Sequence, residues 1–201
     1  MVLDRASETI LHRRFRDLFT YLKPGDVLVL NNSRVIPARL RGRNSKTGGM
    51  FEMLLVEQVG DNEWWTMMRP GKRARVGTVI QILDRSRNPS PVMATVIEVN
   101  DEGHRRLRFS GAPKLLSVLD TLGEVPLPPY IERASENPLD RERYQTVYAQ
   151  PPGSVAAPTA GLHFTSEFLA TIRAGGARYI WATKRMKRWR SSRWRRWRPK
   201  P

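Results

Sequence analysis

Residues 140–165 read DRERYQTVYAQPPGSVAAPTAGLHFT. The opening is polar and charged, with Tyr144 and Tyr148 about one helical turn apart. Pro151, Pro152 and Gly153 then break the chain. Beyond them a run of small residues closes on Gly161, Leu162, His163, Phe164 and Thr165. Small side chains let a ligand lie against the backbone. An imidazole at the end of such a run can donate, accept or carry a proton near neutral pH. The alternative for His163 is a structural hydrogen bond to backbone near a turn. Arg141–Tyr148 has helical spacing. Thr165 is placed to cap a second helix over Ser166–Ala174, with Glu167 in its first turn and Gly175 at its end.

Upstream of this stretch, Leu115, Leu116, Leu119 and Leu122 share one face of a helix over Pro113–Leu122. Glu124–Ile131 holds three prolines and cannot form a regular helix. Residues 41–111 have a different texture. Short β-like runs (Phe51–Glu57, Trp64–Met68, Thr78–Leu83, Val92–Val99 and Arg106–Phe109) alternate with turn signals such as Gly48–Gly49, Pro70–Gly71 and Asn100–Asp101. That spacing predicts a small barrel or sandwich. Nearer the start, Met1–Leu3 reads as extended and Asp4–Ser7 as a turn. Leu11, Phe15, Leu18, Phe19 and Leu22 predict a helix over Leu11–Leu22, stopped at Pro24–Gly25. Val27–Leu30 reads as a buried strand and Val35–Leu40 as a second one, with Pro37 suggesting an edge or a bulge. The implied fold class is an α/β (or α+β) domain over 1–40 and 112–176, incomplete and interrupted by an inserted all-β, barrel-like domain over 41–111.

The composition narrows the function classes. The 201 residues carry a formal net charge of +16, which favours a polyanionic partner. Eleven of the 35 Lys and Arg residues lie in 177–201, a segment without acids, so residues 1–176 hold only +5 of that charge. Four of the six tryptophans are also there. This Arg/Trp segment is expected to be a disordered tail. It reads as a product of a shifted frame in GC-rich DNA, or else as a nucleic-acid- or membrane-binding segment. The absence of cysteine rules out disulfides and thiolate chemistry. His12, His104 and His163 show no metal-ligand spacing, and no metal is expected. The N-terminus lacks a signal-peptide apolar region and no segment is long enough to span a membrane, so a cytoplasmic protein is expected.

Several polar groups are candidates for binding. Asn31, Asn32 and Arg34 sit in a polar break between strands, a place where loops carry binding groups, or else a turn in which asparagine tolerates unusual dihedrals. Arg34 and Arg39 have the side chain for bidentate phosphate contact. Lys72 lies in the basic turn Arg69–Arg73, equally readable as a solvated hairpin tip. Tyr144, Gln145 and Tyr148, with Asp140, Arg141 and Arg143, would grip a polar substrate or else form an exposed charged helix with half-buried tyrosines.

LNNSRVIPARL (30–40), RPGKR (69–73), GEVPLPPYIER (123–133), DRERYQTVYA (140–149) and GSVAAPTAGLHFT (153–165) together resemble the S-adenosylmethionine:tRNA ribosyltransferase-isomerase family of queuosine biosynthesis. The resemblance runs from about Val2 to Gly176. It implies an enzyme that takes S-adenosylmethionine as co-substrate, a ribosyl donor rather than a methyl donor. The acceptor it implies is 7-aminomethyl-7-deazaguanine at the tRNA wobble position. The implied products are epoxyqueuosine-tRNA, adenine and methionine. It also implies a soluble, monomeric protein that accepts an anticodon loop. On that basis the catalytic candidates are His163, Tyr144 and Thr159. The substrate-binding candidates are Asn32, Arg34, Arg39, Lys72, Gln145, Thr146, Pro158, Gly161 and Thr165. The family continues beyond both ends of this match, with a TLHVGLGTF-like strand after the Gly175 position that Ala177–Pro201 does not resemble. The expectation is therefore a truncated chain without turnover. The competing reading is a non-catalytic RNA-binding module built from the β domain and the basic tail.

Overall fold

The computed structural model describes residues 1–128, 131, 137 and 139–182. Its contacts divide the chain into two units. The first holds 1–33, 145–151 and the chain from 157 onward; the second holds 34–144 and 152–156.

In the first unit, β1 (Val2–Asp4) and β2 (Thr9–Leu11) form an antiparallel pair. A 3-10 helix over Phe15–Tyr21 comes next, its start tied down by the Arg14 N–H donating to the Asp17 carboxylate at 2.9 Å. The expected helix over Leu11–Leu22 is thus much shorter. Leu11 is opposite Val2 in the hairpin, which takes the start of the expected helix into β2. β3 (Val27–Leu30) is a strand as expected, but not a buried one: it pairs with a single neighbour among the described residues, and Val27 and Val29 are exposed while Leu30 is buried.

The second unit opens with β4 (Arg34–Val35) and continues with β5 (Arg39–Asn44). Val35–Leu40 is therefore not one strand. Pro37 has no N–H to give to a ladder, and Ala38 donates locally to the Ile36 carbonyl at 2.7 Å. The strands β6 (Met50–Gly60), β7 (Glu63–Arg69), β8 (Val79–Leu83), β9 (Pro89–Val99) and β10 (Arg105–Ser110) complete a closed barrel in the order β10-β7-β6-β5-β8-β9. All its neighbours are antiparallel. Alternate residues point inward: Phe51, Met53 and Leu55 on β6, Trp64, Thr66 and Met68 on β7, Ile80 and Ile82 on β8. The barrel begins at Arg39, two residues earlier than expected.

Helix α1 (Leu115–Leu122) buries Leu115, Leu119 and Leu122 in the same core as the barrel interior, so it belongs with the barrel and not with an α/β domain. Its start is held from the β6–β7 turn. The Asn62 side chain accepts from the Leu115 N–H at 2.7 Å and donates to the carbonyls of Ala112 and Pro113. At its end, a Cβ on Gly123 would lie 1.9 Å from the Pro37 carbonyl oxygen, so only glycine fits. The expected helix over Arg141–Tyr148 is a single turn, α2 (Asp140–Arg143), and the chain passes from one unit to the other just after it. A short β11 (Pro152–Ser154) pairs in parallel with β4.

The first unit is completed by a 3-10 helix over Thr159–His163, by α3 (Ser166–Ala174) and by β12 (Arg178–Trp181). α3 forms as its cap chemistry predicts: the Thr165 hydroxyl accepts from the Phe168 N–H at 3.1 Å. β12 lies inside the segment expected to be a disordered tail. It pairs in parallel with β3 over Arg178–Trp181, flanked by backbone bonds from Arg178 to Asp26 and from Ala182 to Leu30. The rest of the basic tail and the PYIER portion of 123–133, apart from Ile131, lie outside the described residues. The core of this unit is Leu30, Tyr148, Phe164, Leu169, Ile172 and Ala177.

Candidate functional site

The first unit gathers eight of the twelve candidate residues. The 3-10 helix Thr159–His163 leaves Thr159 and His163 exposed and turns Gly161 inward. The His163 ring lies against Phe15, centroids 5.1 Å apart, and Phe15 in turn meets Phe164 edge-on at 4.9 Å. The imidazole is thus backed by an aromatic face on one side and open to solvent.

Beneath this helix, Thr146 is buried, and its hydroxyl oxygen has no hydrogen-bond partner among the described residues. A buried hydroxyl without a partner costs about 1–3 kcal/mol. Gly161 is small for a different reason from the one its sequence implies. A Cβ there would meet the Tyr148 hydroxyl at 2.4 Å, the Thr146 methyl at 2.8 Å and Pro158 at 3.3 Å. The space next to Gly161 is therefore filled by the protein itself, not left for a ligand. Thr146, Pro158 and Gly161 do come together, with Tyr148 as the residue they close upon. Burial raises the Tyr148 phenol above its ordinary pKa and keeps it a neutral donor.

Asn32 is buried, and its backbone carbonyl accepts from the Gln150 N–H at 2.9 Å. Gln145 is half-buried in the same unit. Thr165 is taken up by the helix cap. Its hydroxyl also bonds the Glu167 carboxylate, which, with that residue's own N–H as the larger cause, holds Glu167 below the usual carboxylate pKa.

Tyr148 also borders a groove of about 530 Å³ whose polar lining includes Gln150, Ser166, Arg173 and Tyr179. Trp181 stacks on Tyr148 at 5.3 Å, and Arg173 lies over the Tyr179 ring at 4.8 Å. Phe15, Tyr179 and Trp181 as neighbours of the site escape sequence reasoning, since long-range ring packing leaves no local pattern. The tyrosine spacing in DRERYQTVYA is the one available signal for Tyr148.

The second unit holds Arg34, Arg39, Lys72 and Tyr144. Arg34 is exposed on β4 and Tyr144 is buried at the end of α2. Arg39 differs from the expected free phosphate-binding group: its guanidinium donates to the Leu127 carbonyl at 3.0 Å and pairs with Glu52 at 3.6 Å. Lys72 is exposed in a short 3-10 turn over Gly71–Arg73. Among the described residues, no cluster of His, Asp and Glu could hold a metal ion, and no helix is long and apolar enough to cross a membrane.

The S-adenosylmethionine:tRNA ribosyltransferase-isomerase of Clostridioides difficile (strain 630) is 45% identical over 183 residues, 91% of this chain and 51% of that protein. The enzyme of the same name from Desulforamulus reducens is 43% identical over 181 residues, 90% of this chain and 50% of that protein. The chain thus spans about half the length of the curated relatives it matches. A crystal structure of S-adenosylmethionine tRNA ribosyltransferase from Thermotoga maritima is 28% identical, with a TM-score of 0.34, covering 89% of this chain and 47% of that one. The family model described as queuosine biosynthesis protein matches residues 1–184, and the chain belongs to that family.

Proposed function

We propose that this chain carries part of the machinery of an S-adenosylmethionine-dependent tRNA ribosyltransferase-isomerase. In this reading the ribosyl group of S-adenosylmethionine passes to 7-aminomethyl-7-deazaguanine at the wobble position, isomerises to the epoxycyclopentane of epoxyqueuosine, and leaves adenine and methionine behind. The observation that carries the proposal is the 45% identity to a relative of that name over nearly the whole chain.

The first unit supports it with chemistry suited to a nucleoside. The buried, unpartnered Thr146 hydroxyl is a group that a ribose hydroxyl or adenine nitrogen would satisfy on displacing the Thr159–His163 turn packed over it. His163 and Thr159 are exposed on one short helix, where the imidazole would take the proton next to the sulfonium or orient the adenine. Phe15 limits the imidazole's solvation on one side. Gln145 would add a further polar contact to the donor. In the second unit, Arg34 would meet RNA phosphate. The protein acts as a cytoplasmic monomer on a tRNA anticodon loop whose target base is splayed out to reach the donor.

Donor binding separates this reading from a non-catalytic RNA-binding module. Equilibrium dialysis with radiolabelled S-adenosylmethionine is expected to show saturable binding that weakens at least about tenfold on Thr146→Val, the loss of one buried hydrogen bond of about 1.4 kcal/mol. A chain that binds tRNA and no S-adenosylmethionine overturns the proposal in favour of the RNA-binding module.

A further inference from the structure

Several cations on the barrel strands are matched to carboxylates: Arg41 to Glu52 at 2.9 Å, Arg106 to Glu63 at 2.5 Å, Arg108 to Glu63 at 2.9 Å. At one groove the cations are not. Lys72, Arg73 and Arg75 line a groove of about 270 Å³ opposite Asn44, Thr47 and Met50. No carboxylate lines it, and the side chains of these three cations have no hydrogen-bond or ion-pair partner among the described residues.

Both walls of the groove are fixed. The Asn44 carboxamide oxygen accepts from the N–H groups of Lys46 and Thr47 at 2.8 and 3.1 Å, setting one turn. The Arg105 guanidinium sets the other, donating to the carbonyls of Gly71 at 2.6 Å and Ala74 at 3.2 Å and to that of Gly103. Arg105 satisfies its donors with carbonyl oxygens, so it brings no negative charge to offset its own. The result is a preorganised concavity with a concentration of uncompensated positive charge. Met50, 53% exposed, adds an apolar patch beside it.

Like charges held together in this way repel one another, and a ligand with regularly spaced negative charge relieves that repulsion while releasing its own counterions. We propose that this groove is a phosphodiester-binding surface in which Lys72, Arg73 and Arg75 hold the backbone of the RNA substrate, with Met50 beneath a sugar or base. The identity of the polyanion as RNA rests on the function proposed above. The groove extends that reading from Lys72 alone to a built site on the barrel.

The test is fluorescence anisotropy of a labelled, unmodified tRNA transcript with the full chain, between about 50 and 200 mM salt. The variant K72A/R73A/R75A is expected to reduce the slope of log affinity against log salt by about 2 to 3, and R75A alone by about 1. The charge-matched variant R5A/R13A/R16A, which removes three exposed cations from the first unit, is expected to shift the slope by less than half as much. Equal slope changes in the two triple variants overturn the proposal, as does a wild-type chain that binds no tRNA. Polyglutamate competing as well as unlabelled tRNA also overturns it, in favour of an acidic-protein surface. The two proposals fail separately. Loss of the groove effect with S-adenosylmethionine binding intact removes the groove alone. Absence of donor binding with the slope change present removes the transferase reading and keeps the groove.

Discussion

Each of the six barrel strands has hydrogen-bonded neighbours on both sides, whereas in the first unit the strands come only in pairs, β1 with β2 and β3 with β12, among the described residues. The consequences appear in burial. Leu40, Met53, Leu55, Ile80 and Ile82 inside the barrel are fully buried, while Val27, Val29 and Ile180 on the β3–β12 pair are 46%, 56% and 47% exposed. Closure removes sheet edges and leaves one enclosed aliphatic core. A two-stranded sheet cannot enclose anything, and the first unit relies instead on rings: Phe164 meets Phe15 edge-on and stacks on Phe168, and Tyr148 joins Phe164 to Trp181. The two regions proposed to bind ligands therefore rest on different physics. The basic groove stands on a self-closed scaffold; the His163 region stands on packing between aromatic side chains.

The largest effect is expected from Ile82→Ala, a fully buried side chain in β8. It should cost about 2–5 kcal/mol. Hydrogen exchange followed by mass spectrometry should show lost protection across β5–β10 with little change over α3. Equal loss in both units would break the comparison, since the chain would then unfold as one block.

A smaller effect, about 1 kcal/mol, is expected from Thr165→Ala, which removes the cap of α3. Exchange should speed up at Phe168 while the barrel stays protected, and Thr165→Ser should restore the native rate. If Thr165→Ser does not restore it, the hydroxyl is not what holds the helix start.

The smallest effects concern pH, and Glu63 and Tyr148 contribute with opposite signs. The Glu63 carboxyl is held below its ordinary pKa, first by the hydrogen bond from Arg106 and then by that from Arg108. Its contribution is therefore present above the unfolded carboxylate range, near about pH 4.3, and is lost as pH falls through the lower folded value. The Tyr148 phenol is raised by burial. Its contribution is present below the unfolded value of about 10 and lost as pH rises through the higher folded one. Acid should thus weaken the Glu63 ion pairs of the barrel and, through Glu167, the start of α3, whereas alkali should loosen the aromatic unit through Tyr148. Circular dichroism of tryptophan bands against those of Tyr148→Phe and Glu63→Gln variants would sharpen this, since each substitution should flatten one limb only.

The barrel was legible in the sequence because its signal is local. Runs such as Phe51–Glu57 and Trp64–Met68 are punctuated by turn residues such as Gly48–Gly49 and Pro70–Gly71, and that punctuation can be read without knowing what lies across the sheet. α3 was legible for the same reason, its Thr165 cap and Gly175 stop being neighbours in sequence. The failures are contacts made at a distance. Leu11 looks helical beside Phe15 and Leu18, and only its pairing with Val2 makes it a strand. Arg178–Trp181 reads as part of a basic tail, and only β3 makes it β. At the candidate site, the small-residue run and His163 were visible, but the use of Gly161 was not. Its missing side chain accommodates Tyr148, thirteen positions earlier in the chain.

Asn62 constrains the molecule in one more way. One carboxamide at the tip of the β6–β7 hairpin makes three bonds to the stretch that begins α1, some fifty positions on. Hairpin tips are ordinarily where chains gain and lose residues over evolutionary time and where inserted tags do least harm. Here the tip acts as a latch, and lengthening the loop by one residue would move the carboxamide away from its partners and release the helix start. The length of this turn is therefore fixed by a helix far away in the sequence, and a designer seeking a permissive insertion point should pass it over.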